Sequence, residues 1–123
     1  MNNAGEYSPL VLAWLGDAVF ELLVRQMIVS KGNAPVDTLF GGAKKFSSAA
    51  AQSLFYEALE PHLTEDELAV LKRGRNAKSQ SRAKNANLID YRRATGVEAL
   101  FGYLSIKGDN ERAEQLFALI EEI

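Results

Sequence analysis

The chain has 123 residues, 47% of them hydrophobic, and a net charge of −2, so it is long enough for one single domain over residues 1–123. It contains no cysteine, which excludes disulfides and thiolate metal sites and suits a reducing cytoplasm, where we expect the protein to be located. Its start lacks the features of a secretory signal, and charged residues interrupt the longest apolar stretch, Pro9 to Ile28, so we expect no contact with a membrane.

Apolar periodicity and turn signals predict an all-α domain, an irregular helical bundle without a convincing strand. The first helix is predicted to have Ser8 as its N-cap and Pro9 as its first residue, and to end near Ser30. A turn follows, and a short second helix after Pro35 is predicted to end near Gly41 and the glycine beside it.

The second half of the chain has clearer start and stop signals. A third helix is predicted over residues 47–59. Thr64, with a glutamate three residues later, forms a capping box that opens a fourth helix. The polar stretch 75–87 has no periodicity and indicates a loop or a frayed helix end, and the last two helices are predicted over about 89–106 and 111–122.

The first helix is apolar on nearly every side, with Asp17 near its middle. A helix of this kind is buried on several sides, and in a small protein one of those sides can face a partner subunit. We therefore expect a homodimer formed through the helix around Asp17. A central helix in a monomer, or a docking face for another protein, is the alternative.

Two carboxylates, Asp17 and Glu98, stand in apolar helices, each close to a glycine. A buried carboxylate is costly unless something compensates its charge. A salt bridge, for Asp17 with Arg25 or Arg93, is one solution. Mg²⁺ is another, because it takes oxygen ligands, usually one or two carboxylates with waters and phosphate. Zinc is disfavoured, because the single histidine, His62, stands in a loop beside a proline.

A basic segment, defined here as Lys72–Arg93, has eight basic residues and one acid, a net charge of +7, against −9 for the rest of the chain. Its densest part contains six cations: Lys72, Arg73, Arg75, Lys78, Arg82 and Lys84. Such side chains pair with phosphates, and this densest part lacks the aromatic residues on which single strands stack. The segment therefore favours contact with a nucleic-acid duplex read by shape, with a solvated loop as the alternative.

Both acidic motifs resemble those of the ribonuclease III family. Residues 12–22, LAWLGDAVFEL, resemble the signature helix of that family, and residues 94–102, ATGVEALFG, are similar to its second acidic motif. The RGRNA stretch at 73–77 resembles the Mini-ribonuclease III branch, as does the lack of residues for a separate double-stranded-RNA-binding domain.

This resemblance implies a homodimeric, metal-dependent endoribonuclease that cuts both strands of duplex RNA and leaves 5′-phosphates. Asp17 and Glu98 would be the catalytic residues and the ligands of Mg²⁺, and the six cations would bind RNA. The larger enzymes have two more carboxylates where this chain has Ala13 and Thr95, which leaves the number of metals open and keeps a non-catalytic duplex-RNA-binding module as the alternative.

The Mini-ribonuclease III branch matures the precursor of bacterial large-subunit (23S) ribosomal RNA. The resemblance therefore implies pre-ribosomal RNA as the substrate. It also makes a large-subunit ribosomal protein a candidate partner.

Overall fold

A computed structural model describes residues 3–78 and 87–123 of the chain. Within these residues the structure has no strand, two short 3₁₀ turns and six α-helices. The helices are α1 (Pro9–Ser30), α2 (Val36–Ser47), α3 (Ala49–Leu59), α4 (Glu65–Asn76), α5 (Leu88–Lys107) and α6 (Asn110–Glu121). The prediction of an all-α fold is confirmed.

Local capping chemistry sets several of the helix ends. The Ser8 hydroxyl accepts a hydrogen bond from the Val11 N–H at 3.3 Å, and Pro9 is the first residue of α1, as predicted. At the start of α4 the Thr64 hydroxyl accepts from the Glu67 N–H while the Glu67 carboxylate accepts from the Thr64 N–H. These reciprocal bonds confirm the predicted capping box.

The prediction that the second helix ends near Gly41 is wrong, because α2 continues to Ser47. Neither glycine of the pair adopts a positive φ, so neither ends the helix. Beyond them α2 buries Ala43 and packs Phe46 against the core, 5.9 Å from the Phe55 ring. Burial of these apolar side chains outweighs the helix propensity lost at a glycine, about 1 kcal/mol each.

The end of α4 also lies beyond its predicted position. Arg75 and Asn76 are helical, whereas a loop or frayed end was expected from residue 75. Gly74, one residue earlier, packs directly against α5, and this contact supports the last turn of α4. Residues 79–86 of the same stretch lie outside the described residues.

Helix α5 is the centre of the fold and packs against α1, α3 and α4. Its most deeply buried side chains have no exposed surface: Val97, Ala99, Leu100, Phe101 and Leu104. A helix surrounded on three sides has apolar residues around most of its circumference. Polar side chains in the buried middle of α5, residues 95–104, are therefore packed among side chains of the neighbouring helices, whereas Arg92 and Lys107 near its ends are exposed.

Helices α1 and α5 touch backbone to backbone. A Cβ atom added to Gly16 would fall on the carbonyl oxygen of Glu98, and one added to Gly102 would fall on the carbonyl oxygen of Leu12. The two glycines therefore permit an approach that a side chain would block. This contact sets how far Asp17, the residue after Gly16, stands from Glu98.

The opposite side of α1 remains uncovered. Val11, Trp14, Leu22 and Val29 are exposed, and Trp14 has 81% of its surface accessible. Within the part of the chain that the structure describes, no helix has both the length and the apolar character needed to cross a membrane.

Replacement of Gly16 by alanine is expected to destabilise the protein by at least about 3 kcal/mol, because the new methyl group would meet the Glu98 backbone rather than a movable side chain. Urea denaturation followed by circular dichroism would measure the loss.

Gly41→Ala is the matched control. No atom lies within 4 Å of a Cβ at Gly41, so the same change there should raise stability by about 0.5–1 kcal/mol. Equal effects of the two substitutions would contradict the backbone contact between α1 and α5.

Candidate active site

Asp17 and Glu98 meet at the crossing of α1 and α5. Asp17 is exposed, whereas Glu98 is partly buried, and the two carboxyl groups are close enough for the charge of Asp17 to act on Glu98. The meeting follows from the backbone, because Gly16 lies against the Glu98 carbonyl group. The structure therefore brings together the two acids that the sequence singled out.

Burial raises the pKa of Glu98 to about 8, and the negative charge of Asp17 adds to the increase. Two carboxylates this close repel each other when both are ionised. At neutral pH, Glu98 therefore retains its proton unless a cation takes the proton's place. A carboxyl pair of this kind is a candidate site for acid–base or metal chemistry.

The arginines considered as alternative partners of Asp17 are engaged elsewhere. Arg25 forms a salt bridge with Glu21, one turn away on α1, at 2.8 Å. Arg93 forms one with Glu57 on α3, also at 2.8 Å. The salt-bridge explanation for the position of Asp17 in this helix is therefore wrong for both arginines.

The surroundings of the acid pair limit its ligand set. Among residues 3–78 and 87–123 no group of three or more His, Cys, Asp or Glu side chains is placed to hold one ion. Ala13 is buried in the core, and the buried Thr95 hydroxyl donates to the Tyr91 carbonyl oxygen at 3.1 Å. His62 lies on the surface, as the sequence suggested.

The six predicted RNA-binding cations are not equivalent in the structure. Lys72, Arg73 and Lys78 are all exposed, but Arg73 also donates to the carbonyl oxygens of Gly5 at 2.8 Å and Tyr7 at 3.2 Å. Arg73 therefore fixes the N-terminal segment against α4. Arg82 and Lys84 lie outside the described residues.

Arg75 contacts an aromatic residue that the sequence analysis did not single out. Tyr56 of α3 is only 2% exposed, and its hydroxyl accepts a hydrogen bond from Arg75 Nη1 at 3.0 Å. The guanidinium carbon of Arg93 lies 5.4 Å from the centroid of the same ring. Burial raises the pKa of the Tyr56 phenol, so the side chain is neutral at physiological pH. Nothing in the local sequence around Tyr56 signals these contacts.

A sequence profile described as Ribonuclease III domain matches residues 10–109, which include both carboxylates and all of α5. The chain belongs to the ribonuclease III family. It is 49% identical over 118 residues to a Mini-ribonuclease 3 of Brevibacillus brevis, a match that spans 93% of this chain and 88% of that protein. The Mini-ribonuclease 3 of Clostridium tetani is 44% identical over 116 residues, or 94% and 77% of the two chains.

The fold of this ribonuclease III family member also matches a solved structure. A crystal structure of a protein from Fusobacterium nucleatum aligns with a TM-score of 0.84 and 30% identity, over 95% of this chain and 93% of that one. The resemblance found in the sequence is thus confirmed, and so is the fold class. The chain is an endoribonuclease of the ribonuclease III type.

Glu98→Gln is expected to make the metal-free protein more stable in mildly alkaline solution. The folded chain keeps the Glu98 proton up to about pH 8, whereas an unperturbed glutamate loses it near 4.5. Folded protein therefore binds more protons than unfolded protein across this window, and stability falls as pH rises through it. Glutamine removes that loss, so the gain should rise from near zero at pH 4.5 to several kcal/mol at pH 8.5.

Chemical denaturation in chelator at several pH values would measure the difference. Glu114→Gln, at an exposed position of α6, is the matched control and should give a difference that does not change with pH in this way. Parallel stability profiles for wild type and Glu98→Gln would contradict the raised pKa.

Proposed function

We propose that this endoribonuclease cuts double-stranded RNA by metal-dependent hydrolysis, with Asp17 and Glu98 as its catalytic carboxylates. The observation that carries the proposal is the pair of interacting acids at the crossing of α1 and α5, where Gly16 lies against the Glu98 carbonyl group. Neither acid forms a salt bridge within residues 3–78 and 87–123, so no cationic side chain there offsets the repulsion between the two acids when both are ionised. Arrangements of side chains that lower the stability of a fold are found most often at functional sites.

The chemistry of the pair fits Mg²⁺. This ion prefers oxygen ligands and is usually held by one or two carboxylates, with waters and substrate phosphates completing its shell. Asp17 and Glu98 would hold it, and Glu98 would release its proton on binding. When bound, the metal lowers the pKa of a water nucleophile and offsets charge on the scissile phosphate. Ala13 and Thr95 supply no carboxylate, so we propose a site with two acidic protein ligands.

The protein's own side chains would position the duplex. We propose that Lys72 and Lys78, both exposed, bind backbone phosphates together with Arg82 and Lys84. Duplex RNA hides its base edges in a deep and narrow groove, so contacts of this kind read shape and 2′-hydroxyls. Arg73 and Arg75, which the sequence analysis assigned the same role, also hold other parts of the protein.

The uncovered face of α1 supports a homodimer. Val11, Trp14, Leu22 and Val29 are exposed apolar residues of one helix. Exposed patches of this sort mark interaction sites, and tryptophan is common among the residues that dominate binding energy. A two-fold pairing of α1 with its copy would cover these side chains and join two acid pairs in one assembly, one for each RNA strand.

The role in the cell follows from the Mini-ribonuclease III resemblance alone. We propose that the substrate is the precursor of large-subunit (23S) ribosomal RNA in the cytoplasm, with a large-subunit ribosomal protein as a candidate partner. Residues 1–123 would act as one catalytic domain.

A cleavage assay tests the reaction and its site. Purified protein is mixed with labelled duplex RNA, single-stranded RNA or duplex DNA, with Mg²⁺ or with chelator. We expect cutting of duplex RNA only, and only with metal. Asp17→Asn and Glu98→Gln should each lower the rate by at least about 100-fold, because each removes a charge needed at the reacting phosphate.

Glu21→Gln is the control, since Glu21 pairs with Arg25 one turn beyond Asp17. It should cut at nearly the wild-type rate. Retained activity in both active-site variants would overturn the assignment of the site. Tight duplex binding without cutting under any condition would favour the non-catalytic binding module.

Trp14→Glu is expected to weaken the dimer at least about 30-fold, because it places a charge where an apolar side chain would be buried. Leu54→Glu changes an exposed apolar residue of α3 instead and should leave the dimer intact. Analytical ultracentrifugation of both variants provides the measurement. A wild-type protein that is monomeric at micromolar concentration would contradict the proposed assembly.

A further inference from the structure

We infer that Tyr56 is a positioning residue for RNA binding, because its side chain joins the two ends of the basic segment through Arg75 and Arg93. The inference rests on the proposed function, since it concerns how the proposed RNA-binding segment is held. Tyr56 itself is buried and would not contact RNA.

The contacts come from three helices. Tyr56 belongs to α3, Arg75 to the last turn of α4 and Arg93 to the second turn of α5. The guanidinium carbons of Arg75 and Arg93 lie 6.0 and 5.4 Å from the Tyr56 ring centroid. Arg75 also donates to the phenol oxygen at 3.0 Å, and Arg93 donates to the Ser53 hydroxyl at 3.2 Å. One ring therefore contacts an arginine at the end of α4 and an arginine near the start of α5, and Lys78 lies on the chain just after the first of these helices.

The backbone beneath the ring has little freedom. A Cβ atom at Gly74 would lie 2.8 Å from the Gly96 Cα, and one at Gly96 would lie 2.7 Å from the Leu71 carbonyl oxygen and 3.3 Å from Tyr56 Cε2. Helices α4 and α5 thus cross at van der Waals distance directly beside Tyr56. A side chain that shifts here changes the angle at which the segment leaves α4.

The same crossing is linked to the acid pair. Gly96 precedes Glu98 by two residues on α5, about 3 Å along the helix axis. The position of the end of α4, with Arg75, relative to Glu98 is therefore set over a short distance within packed helices. An anchor of this kind lowers the ordering cost of binding, since the end of α4 that precedes Lys78 is held in place before RNA arrives.

Tyr56→Phe removes one oxygen atom and leaves the ring in place. It keeps every charge of the basic segment but removes the hydrogen bond that ties Arg75 to α3, and leaves only the local bond from Arg75 Nε to Asn76 Oδ1 at 3.2 Å. We expect KM for duplex RNA to rise about fivefold to tenfold with kcat within twofold of wild type, since binding is weakened and the acid pair is untouched. Arg75→Lys keeps the charge but loses the planar group that lies over the ring, so it should raise KM similarly.

Tyr103→Phe is the matched control. Tyr103 is a buried tyrosine of α5, 6% exposed, with the Lys107 ammonium 5.2 Å from its ring centroid. The substitution removes the same hydroxyl group from a tyrosine next to a cation, but Tyr103 does not contact a cation of the basic segment. Its KM and kcat should equal those of wild type, so any general effect of a lost phenol on stability appears in both variants.

Salt dependence separates positioning from phosphate contact. Lys78→Ala removes a cation, so the slope of log affinity against log salt concentration should fall by about 0.7–0.9. Tyr56→Phe does not change the number of cations. The slope for this variant should therefore equal that of wild type, while its affinity is lower at every salt concentration. A changed slope in Tyr56→Phe, an unchanged KM, or a loss confined to kcat would each overturn the inference.

The thermal midpoints of all four variants are measured alongside. A lower midpoint for Tyr56→Phe with wild-type KM would show a purely structural role and overturn the inference. If wild type fails to cut duplex RNA, the proposed function is wrong. The role of Tyr56 is then tested by measuring the affinity of wild type and Tyr56→Phe for duplex RNA in chelator. Equal affinity of wild type and Tyr56→Phe, or no affinity in either, would overturn the inference independently.

Discussion

The backbone contact between Gly16 and the Glu98 carbonyl group is the constraint on which the candidate active site depends. A side chain at position 16 would overlap the α5 backbone, so only glycine permits the two helices to touch backbone to backbone. Two acids on separate helices become interacting neighbours as a result. The raised pKa of Glu98 is then a consequence of packing, since the helices around α5 keep water away from much of the carboxyl group.

Helix α5 carries basic side chains in its first turns and an acidic side chain near its middle. Its first turns carry Arg92 and Arg93, the end of a segment with a charge of +7, and Glu98 follows only five residues after Arg93. A polyanion attracted by the cations meets a carboxyl pair that would repel it in the fully ionised form. A retained proton or a bound cation removes that repulsion. Binding of a polyanion near Glu98 therefore depends on whether the carboxyl pair holds a proton or a cation.

Much of this could be predicted from the sequence because it is encoded locally. Ser8 with Pro9, and Thr64 with its following glutamate, signal helix starts within four residues, and the run around Asp17 is a recognisable motif. The end of α2 was mispredicted at Gly41, because propensity is a local property whereas the burial of Phe46 against other helices is not.

The roles of individual cations were the least predictable part. Six basic residues look alike in the sequence, yet Arg73 bonds to carbonyl groups 66 and 68 residues earlier in the chain, and Arg75 bonds to a phenol 19 residues away. Contacts at such separations depend on how helices pack, and no pattern within a short window reports them. The two acids were identified for the opposite reason, since a carboxylate in an apolar helix is conspicuous wherever the helix lies.

The Arg73 bonds have a practical consequence for anyone who handles this protein. Because they hold Gly5 and Tyr7 against α4, an affinity tag fused ahead of Asn3 would begin beside the very helix that leads into the basic segment. Histidine-rich or charged tags placed there would compete with nucleic acid or attract it.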